Sequence, residues 1–187
     1  LVYIPSRNAK LRLIADYLSH VPDPDRGWAL ATLTGALSFD TVKAGAIRAL
    51  IEARMDPDLF RWSYDYVGDL AETVALAWPE PAQHGEPPAL SAVVDALRLV
   101  SRAGASKLLE DWLDRLNATE RFALLKLVTG NLRIGVSARL AKVGLAEWGA
   151  EWAAARPGGP NEEILIDAIE EVWHGLAPPY ADLFAWL

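Results

Sequence analysis

Residues 121–142 read RFALLKLVTGNLRIGVSARLAK: a helix, a turn bracketed by Gly130 and Gly135, and the start of a second helix. Gly130 suits the position just past a helix end, where a positive φ would make a side chain clash. Gly135 allows close approach to the backbone, and the next helix is expected to begin near Val136 or Ser137. Val136, Leu140 and Val143 are expected to form its buried stripe, leaving Arg139 and Lys142 together on another face.

The same pattern stands earlier in the chain. Asp16-Tyr17-Leu18 recurs as Asp111-Trp112-Leu113, an offset of 111 − 16 = 95 residues. Without a gap, that offset pairs Leu13 with Leu108, Arg26 with Arg121, Leu30 with Leu125, Thr34-Gly35 with Thr129-Gly130, and Leu37 with Leu132. Each copy is a helix, a short connection, a second helix and a Thr-Gly turn. Elsewhere apolar residues recur at helical spacing over 10–19, 26–33, 41–54, 58–78, 91–100, 106–116, 120–128, 136–155 and 161–174. Asp56 and Asn161 are expected to cap helices, the stretches 79–88 and 156–160 are proline-glycine loops, and no alternating run predicts a strand. The expected fold is all-α, a compact bundle of about ten helices in two pseudosymmetric halves, 10–78 and 91–155, followed by an acidic helix at 161–174.

Composition narrows the class. In 187 residues, 52% hydrophobic, a sizeable core is available, and the absence of cysteine excludes disulfides and thiolate metal sites. No apolar run approaches the ~20 residues of a membrane span. The opening Leu1-Val2-Tyr3 has no initiator methionine, as expected of a piece of a longer chain. The net charge of −7 argues against a nucleic-acid partner until its distribution is considered. Residues 121–146 contain Arg121, Lys126, Arg133, Arg139 and Lys142 and no Asp or Glu, whereas acids dominate 147–187.

The repeat supplies a control for those cations. Ala36, Ser38, Asp40, Ala44 and Ile47 of the first copy correspond to Asn131, Arg133, Gly135, Arg139 and Lys142 of the second. The scaffold positions match while these have diverged, so one copy reads as structural and the other as specialised. Unsatisfied N–H groups at a helix start, with three cations within ten residues, fit a phosphodiester backbone. The alternative is a tight glycine corner with a solvated basic face. Nothing provides the paired side chains of base reading, so binding would be blind to sequence.

Residues 122–137, FALLKLVTGNLRIGVS, closely resemble the signature of the N-terminal DNA-binding domain of ATP-dependent DNA ligases. SRNAKL (6–11), YDYVGDLAET (64–73) and Trp173-His174-Gly175-Leu176 also look like bacterial members of that family, so the resemblance covers nearly the whole chain. It implies a helical, pseudosymmetric domain that grips nicked duplex DNA across the minor groove. It also implies backbone contacts from the turn, here Gly130, Asn131, Leu132, Arg133 and Gly135. Thr129, Ser137, Arg139 and Lys142 complete the expected site, with Arg7 and Lys10 as a second, less defined contact.

Such ligases adenylate a lysine within Lys-x-Asp-Gly in a following domain. None of Lys10, Lys43, Lys107, Lys126 and Lys142 stands in that pattern, and there is no Walker loop. No catalytic residue and no cofactor are therefore expected here, with ATP and Mg²⁺ belonging to the parent enzyme. The expected partners are nicked double-stranded DNA and the chain's own catalytic domain, in a monomeric, cytoplasmic, bacterial protein without a membrane. A helical protein-interaction module with a basic groove is the competing reading. An autonomous enzyme is disfavoured, because His20, His84 and His174 are scattered and Asp65 with Asp69 makes a poor metal site. Asp65 or Asp69 is expected to tie a neighbouring helix end, with Gly68 at a close crossing. Trp28, Trp62, Trp78, Trp112 and Trp148 are expected in the core.

Overall fold

The computed structural model describes residues 4–80, 85–130, 132, 135–154 and 161–187, with the backbone alone for 152–154 and 162–164. Asn131, Arg133, His84 and the loop 156–160 lie outside the described residues. Among the described residues all regular structure is helical. The helices are α1 (Arg7–His20), α2 (Asp25–Thr34), α3 (Ala44–Glu52), α4 (Pro57–Val67), α5 (Leu70–Ala77), α6 (Leu90–Leu99), α7 (Arg102–Leu113), α8 (Ala118–Val128), α9 (Ala138–Ala154), α10 (Glu162–Val172) and α11 (Ala181–Trp186). A 3₁₀ turn, Trp173–Gly175, follows α10.

The expected helix over 58–78 is two helices. Gly68 ends α4 in the left-handed region (φ 75°), and Asp69 starts α5 by accepting from the Glu72 N–H. No atom crowds the place where a Gly68 side chain would stand, so this glycine turns the chain and makes no close crossing. Asp69 does tie a neighbouring helix, since Lys126 of α8 donates to its carboxylate. Asp56 caps α4 as expected, accepting from the Asp58 and Leu59 N–H groups. Trp28, Trp78, Trp112 and Trp148 are buried, but Trp62 is 64% exposed because it lies on the outer face of α4. The short α11 carries too few residues for a periodic signal.

The repeat reappears in local structure. α1, α2 and α3, moved by 95 residues, fall on α7, α8 and α9. Thr34 and Thr129 each turn their hydroxyl back onto the carbonyl four residues earlier, at 2.8 and 2.7 Å. Gly35 and Gly130 follow with φ of 77° and 69°. In that conformation glycine avoids a steric cost that other L-residues carry, so each helix ends sharply there.

The chain then leaves its own copy. One compact unit is Leu1–Leu37 with Arg133–Leu187, and the other is Ser38–Leu132. Both crossings occur at matching points, since 37 + 95 = 132. The compact units are therefore not the sequence halves. α9, the third helix of the second copy, packs against α1 and α2, while α3 packs against α7. The first unit's core includes Leu11, Ile14, Leu18, Leu30, Leu145 and Trp148; the second's includes Ile47, Phe60, Val74, Leu97, Leu109 and Leu125.

Arg121, first of the basic run, is a core clamp in the second unit and is 0% exposed. Its Nε donates to the Leu113 carbonyl (2.8 Å), Nη1 to Trp78 (3.2 Å) and Nη2 to Pro79 (2.9 Å). Its counterpart Arg26 reaches the matching carbonyl, Leu18, at 3.5 Å. Arg121→Met leaves three carbonyls without this donor, and urea denaturation is expected to show a loss of about 2–4 kcal/mol, more than for Arg26→Met.

Asp69 carries a pH dependence. Burial pushes its carboxyl up, but hydrogen bonds from Lys126 and from the Glu72 N–H hold it below its ordinary value. A depressed carboxyl stabilises the fold above its unfolded pKa of about 3.9 and loses that contribution as pH falls from there through the folded value. Asp69→Asn keeps a capping acceptor, so its urea midpoint is expected to fall less than the wild type's between pH 4 and pH 2.

Candidate nucleic-acid interface

In the first unit, Lys10 Nζ donates to the Gly135 carbonyl at 2.7 Å. Further along, a Cβ added to Gly144 would come within 2.7 Å of Ile14 Cγ2. Residue numbers rise together along the two packed helices, so α1 and α9 run in the same direction and start at one end of the unit. Ser6 caps α1, its Oγ accepting from the Ala9 N–H at 3.4 Å. Ser137 caps α9 in the same way, its Oγ accepting from the Leu140 N–H at 3.1 Å while its carbonyl accepts from the Ala141 N–H at 3.0 Å.

A helix start carries partial positive charge and favours acids in its first turn. Asp25, Asp58, Glu72 and Glu120 follow that rule in α2, α4, α5 and α8. The first turns of α1 and α9 contain no acid, and neither do those of α3, α6 and α7. They carry Arg7 and Lys10 in α1 and Arg139 in α9, and both arginines are exposed. Two helix dipoles and three cations of one sign thus meet at one end. What sets this end apart is that the two acid-free helix starts and these cations lie together, an arrangement suited to an anion.

The second unit has related parts with an acid among them. α7 starts at Ser101-Arg102, with Ser101 Oγ accepting from the Gly104 N–H at 3.2 Å, the counterpart of Ser6 and Ala9. Next to α3, Asp40 pairs with Lys43 at 2.9 Å. The hydrogen bond from Lys43, with the charges of Lys43 and Arg102, holds the Asp40 carboxyl below its ordinary value. The residue corresponding to Asp40 is Gly135 (40 + 95), which brings no charge.

The remaining expected residues separate. Thr129 is half-buried with its hydroxyl turned onto its own helix, Gly130 is exposed, and Leu132 is half-buried. These three belong to the second unit, whereas Gly135, Ser137, Arg139 and Lys142 belong to the first. Lys142 is not on an exposed face with Arg139. It is 8% exposed, donates to Glu170 and stands 5.0 Å over the Trp173 ring. Its counterpart Ile47 is 1% exposed, so the position faces a core in both copies. The expected stripe shifts accordingly: Val143 is buried, but Val136 and Leu140 are half-buried. Of the basic run, Arg121, Lys126 and Lys142 are engaged within their own units, Arg133 lies outside the described residues, and Arg139 is exposed.

Sequence reasoning missed the two serine caps and the meeting of the two helix starts. The Ser6 cap had a signal, since the offset pairs Ser6-Arg7 with Ser101-Arg102, whereas Ser137 falls on Val42. Among the described residues no group of three or more His, Cys, Asp and Glu is placed to hold a metal ion, and no helix is long and apolar enough to cross a membrane.

Residues 4–146 match the family model described as DNA ligase N terminus. The match ends within α9, so α10 and α11 lie beyond it. Comparison with curated proteins gives no match.

If the cations at these helix starts serve a ligand and not the fold, reversing them stabilises the free protein. Arg7→Glu and Arg139→Glu are each expected to raise unfolding stability by about 0.3–1 kcal/mol at low salt, the scale of a charge–dipole interaction. Thermal denaturation checks this, and a fall in midpoint for both would show that the arginines support the fold.

Proposed function

We propose, since the chain belongs to the DNA ligase N-terminal family, that it holds nicked duplex DNA by its phosphate backbone and presents the nick to the catalytic domain of an ATP-dependent DNA ligase. The observation that carries this reading is the joint start of α1 and α9, with two capped helix ends, Arg7, Lys10 and Arg139, and no acid in either first turn. Such an end favours anions of any sequence, because its donors are backbone N–H groups and flexible cations. The resemblance adds the turn residues Gly130, Asn131, Leu132 and Arg133 as backbone contacts across the minor groove. Lys142 leaves the set, since its charge is already paired inside the unit. No Lys-x-Asp-Gly stands in the chain, so adenylation with ATP and Mg²⁺ is assigned to the rest of the parent ligase.

One observation favours a protein partner as well. Leu59, Trp62 and Tyr66, at i, i+3 and i+7 of α4, are exposed, Tyr66 by 93%. An apolar stripe of this kind marks contact with another protein surface. It lies in the second unit.

A salt titration on a short nicked duplex tests the DNA reading. With a net charge of −7, the chain is expected to bind on the non-specific scale of ~10⁻⁴ to 10⁻⁶ M at physiological salt, indifferent to sequence. Arg139→Gln, Arg7→Gln and Arg133→Gln are each expected to make log Kd versus log salt shallower by about 0.9. Trp62→Ala is expected to leave affinity and slope unchanged. Slopes that ignore all three arginine changes, or a loss centred on Trp62, would remove the α1–α9 end from the interface.

A further inference from the structure

We infer that Lys10 is a positioning residue for the entry of α9, acting through the Gly135 carbonyl, and is not itself a phosphate ligand; the inference rests on the DNA-backbone reading above. Lys10 Nζ lies 2.7 Å from the Gly135 oxygen. It also occupies the space a side chain on Gly135 would need, since a Cβ there would come within 2.7 Å of the same nitrogen. Gly135 has φ of 68°, so the backbone at this point already excludes most side chains. The left-handed φ favours glycine here, and the movable end of Lys10 fills the space beside it and holds the glycine's peptide in one orientation.

The orientation matters for an anion. A glycine turn presents both N–H and C=O groups, and an exposed carbonyl beside a helix start would repel a phosphate. Lys10 covers that carbonyl with a charge-assisted hydrogen bond. Two residues on, Ser137 begins α9 with its Oγ held by the Leu140 N–H. Fixing Gly135 fixes the approach to that cap, and with it the direction of the first N–H groups of α9. The counterpart of Lys10 is Ala105 (10 + 95), buried in the second unit, where Asp40 stands at the position of Gly135. Lysine and glycine thus occur together in one compact unit and are both absent from the other.

The test has two arms on the full chain. In the first, affinity for a nicked duplex is measured against salt for Lys10→Met, with Arg139→Gln as the reference. A positioning lysine predicts affinity about five- to tenfold lower at fixed salt, with the slope kept, well below the denaturation temperature where a merely stabilising contact would leave binding alone. A slope made shallower to the same extent as in Arg139→Gln would overturn the inference and make Lys10 a phosphate contact. The second arm needs no DNA: thermal midpoints are compared for Lys10→Ala, Gly135→Ala and the double variant. An added Cβ would displace Nζ from the Gly135 carbonyl, which predicts that Gly135→Ala lowers the midpoint less in the Lys10→Ala background. Additive midpoints would overturn the pairing. Should Arg139→Gln leave the slope unchanged, the DNA site fails while the second arm still decides whether Lys10 holds Gly135.

Discussion

The structure depends on the sharp end of one helix, made twice. At Thr34-Gly35 and again at Thr129-Gly130, a hydroxyl turns back onto the helix and a left-handed glycine stops it. The next residues carry the chain into the other unit. These two stops precede the points at which α3 and α9 part from their own copies, and α9 lies beside α1. The joint start of those two helices, which forms the candidate interface, is a consequence of the exchange. A backbone conformation open mainly to glycine thus sets where the cations are gathered.

The interface is defined as much by what it lacks as by what it holds. Both units build a serine-capped helix that begins with arginine, and both place a second helix start beside it. In one unit Asp40 sets an acid among these charges and pairs with Lys43. In the other Gly135 stands at that position and Lys10 bonds to its carbonyl, so the charge of Arg7, Lys10 and Arg139 has no acid in either first turn to oppose it. An overall charge of −7 is compatible with DNA binding on these terms. Exposed charges separated by more than a Debye length of about 8–10 Å are largely screened, so local charge counts for more than the total.

Much of this was legible in the chain itself. Helical periodicity, the Thr-Gly turns and the 95-residue offset gave the helices and their recurrence, because glycine and spacing act locally. The exchange of third helices was not legible, since an offset says which segments are alike and not which ones touch. Lys142 was misplaced for a related reason. Its three-residue spacing from Arg139 set an angle on the helix, while burial depended on α10, which supplies Glu170. Its alignment with Ile47 was the available signal, an apolar counterpart at a core position. Trp62 failed in the opposite sense: an aromatic residue in an amphipathic helix was assigned to the core, although the buried face of α4 is formed around Phe60. The meeting of Lys10 with Gly135 spans 125 residues and had no sequence signature of its own.

The central claim is that the starts of α1 and α9 form one anion-binding end. The most direct measurement is residue-resolved amide chemical-shift mapping of the labelled chain titrated with an unlabelled nicked duplex at low salt. The account predicts that the largest early shifts fall together on residues 7–10 and 135–140, with α4 and α11 unmoved. Shifts centred on α4, or on one of the two helix starts without the other, would contradict it.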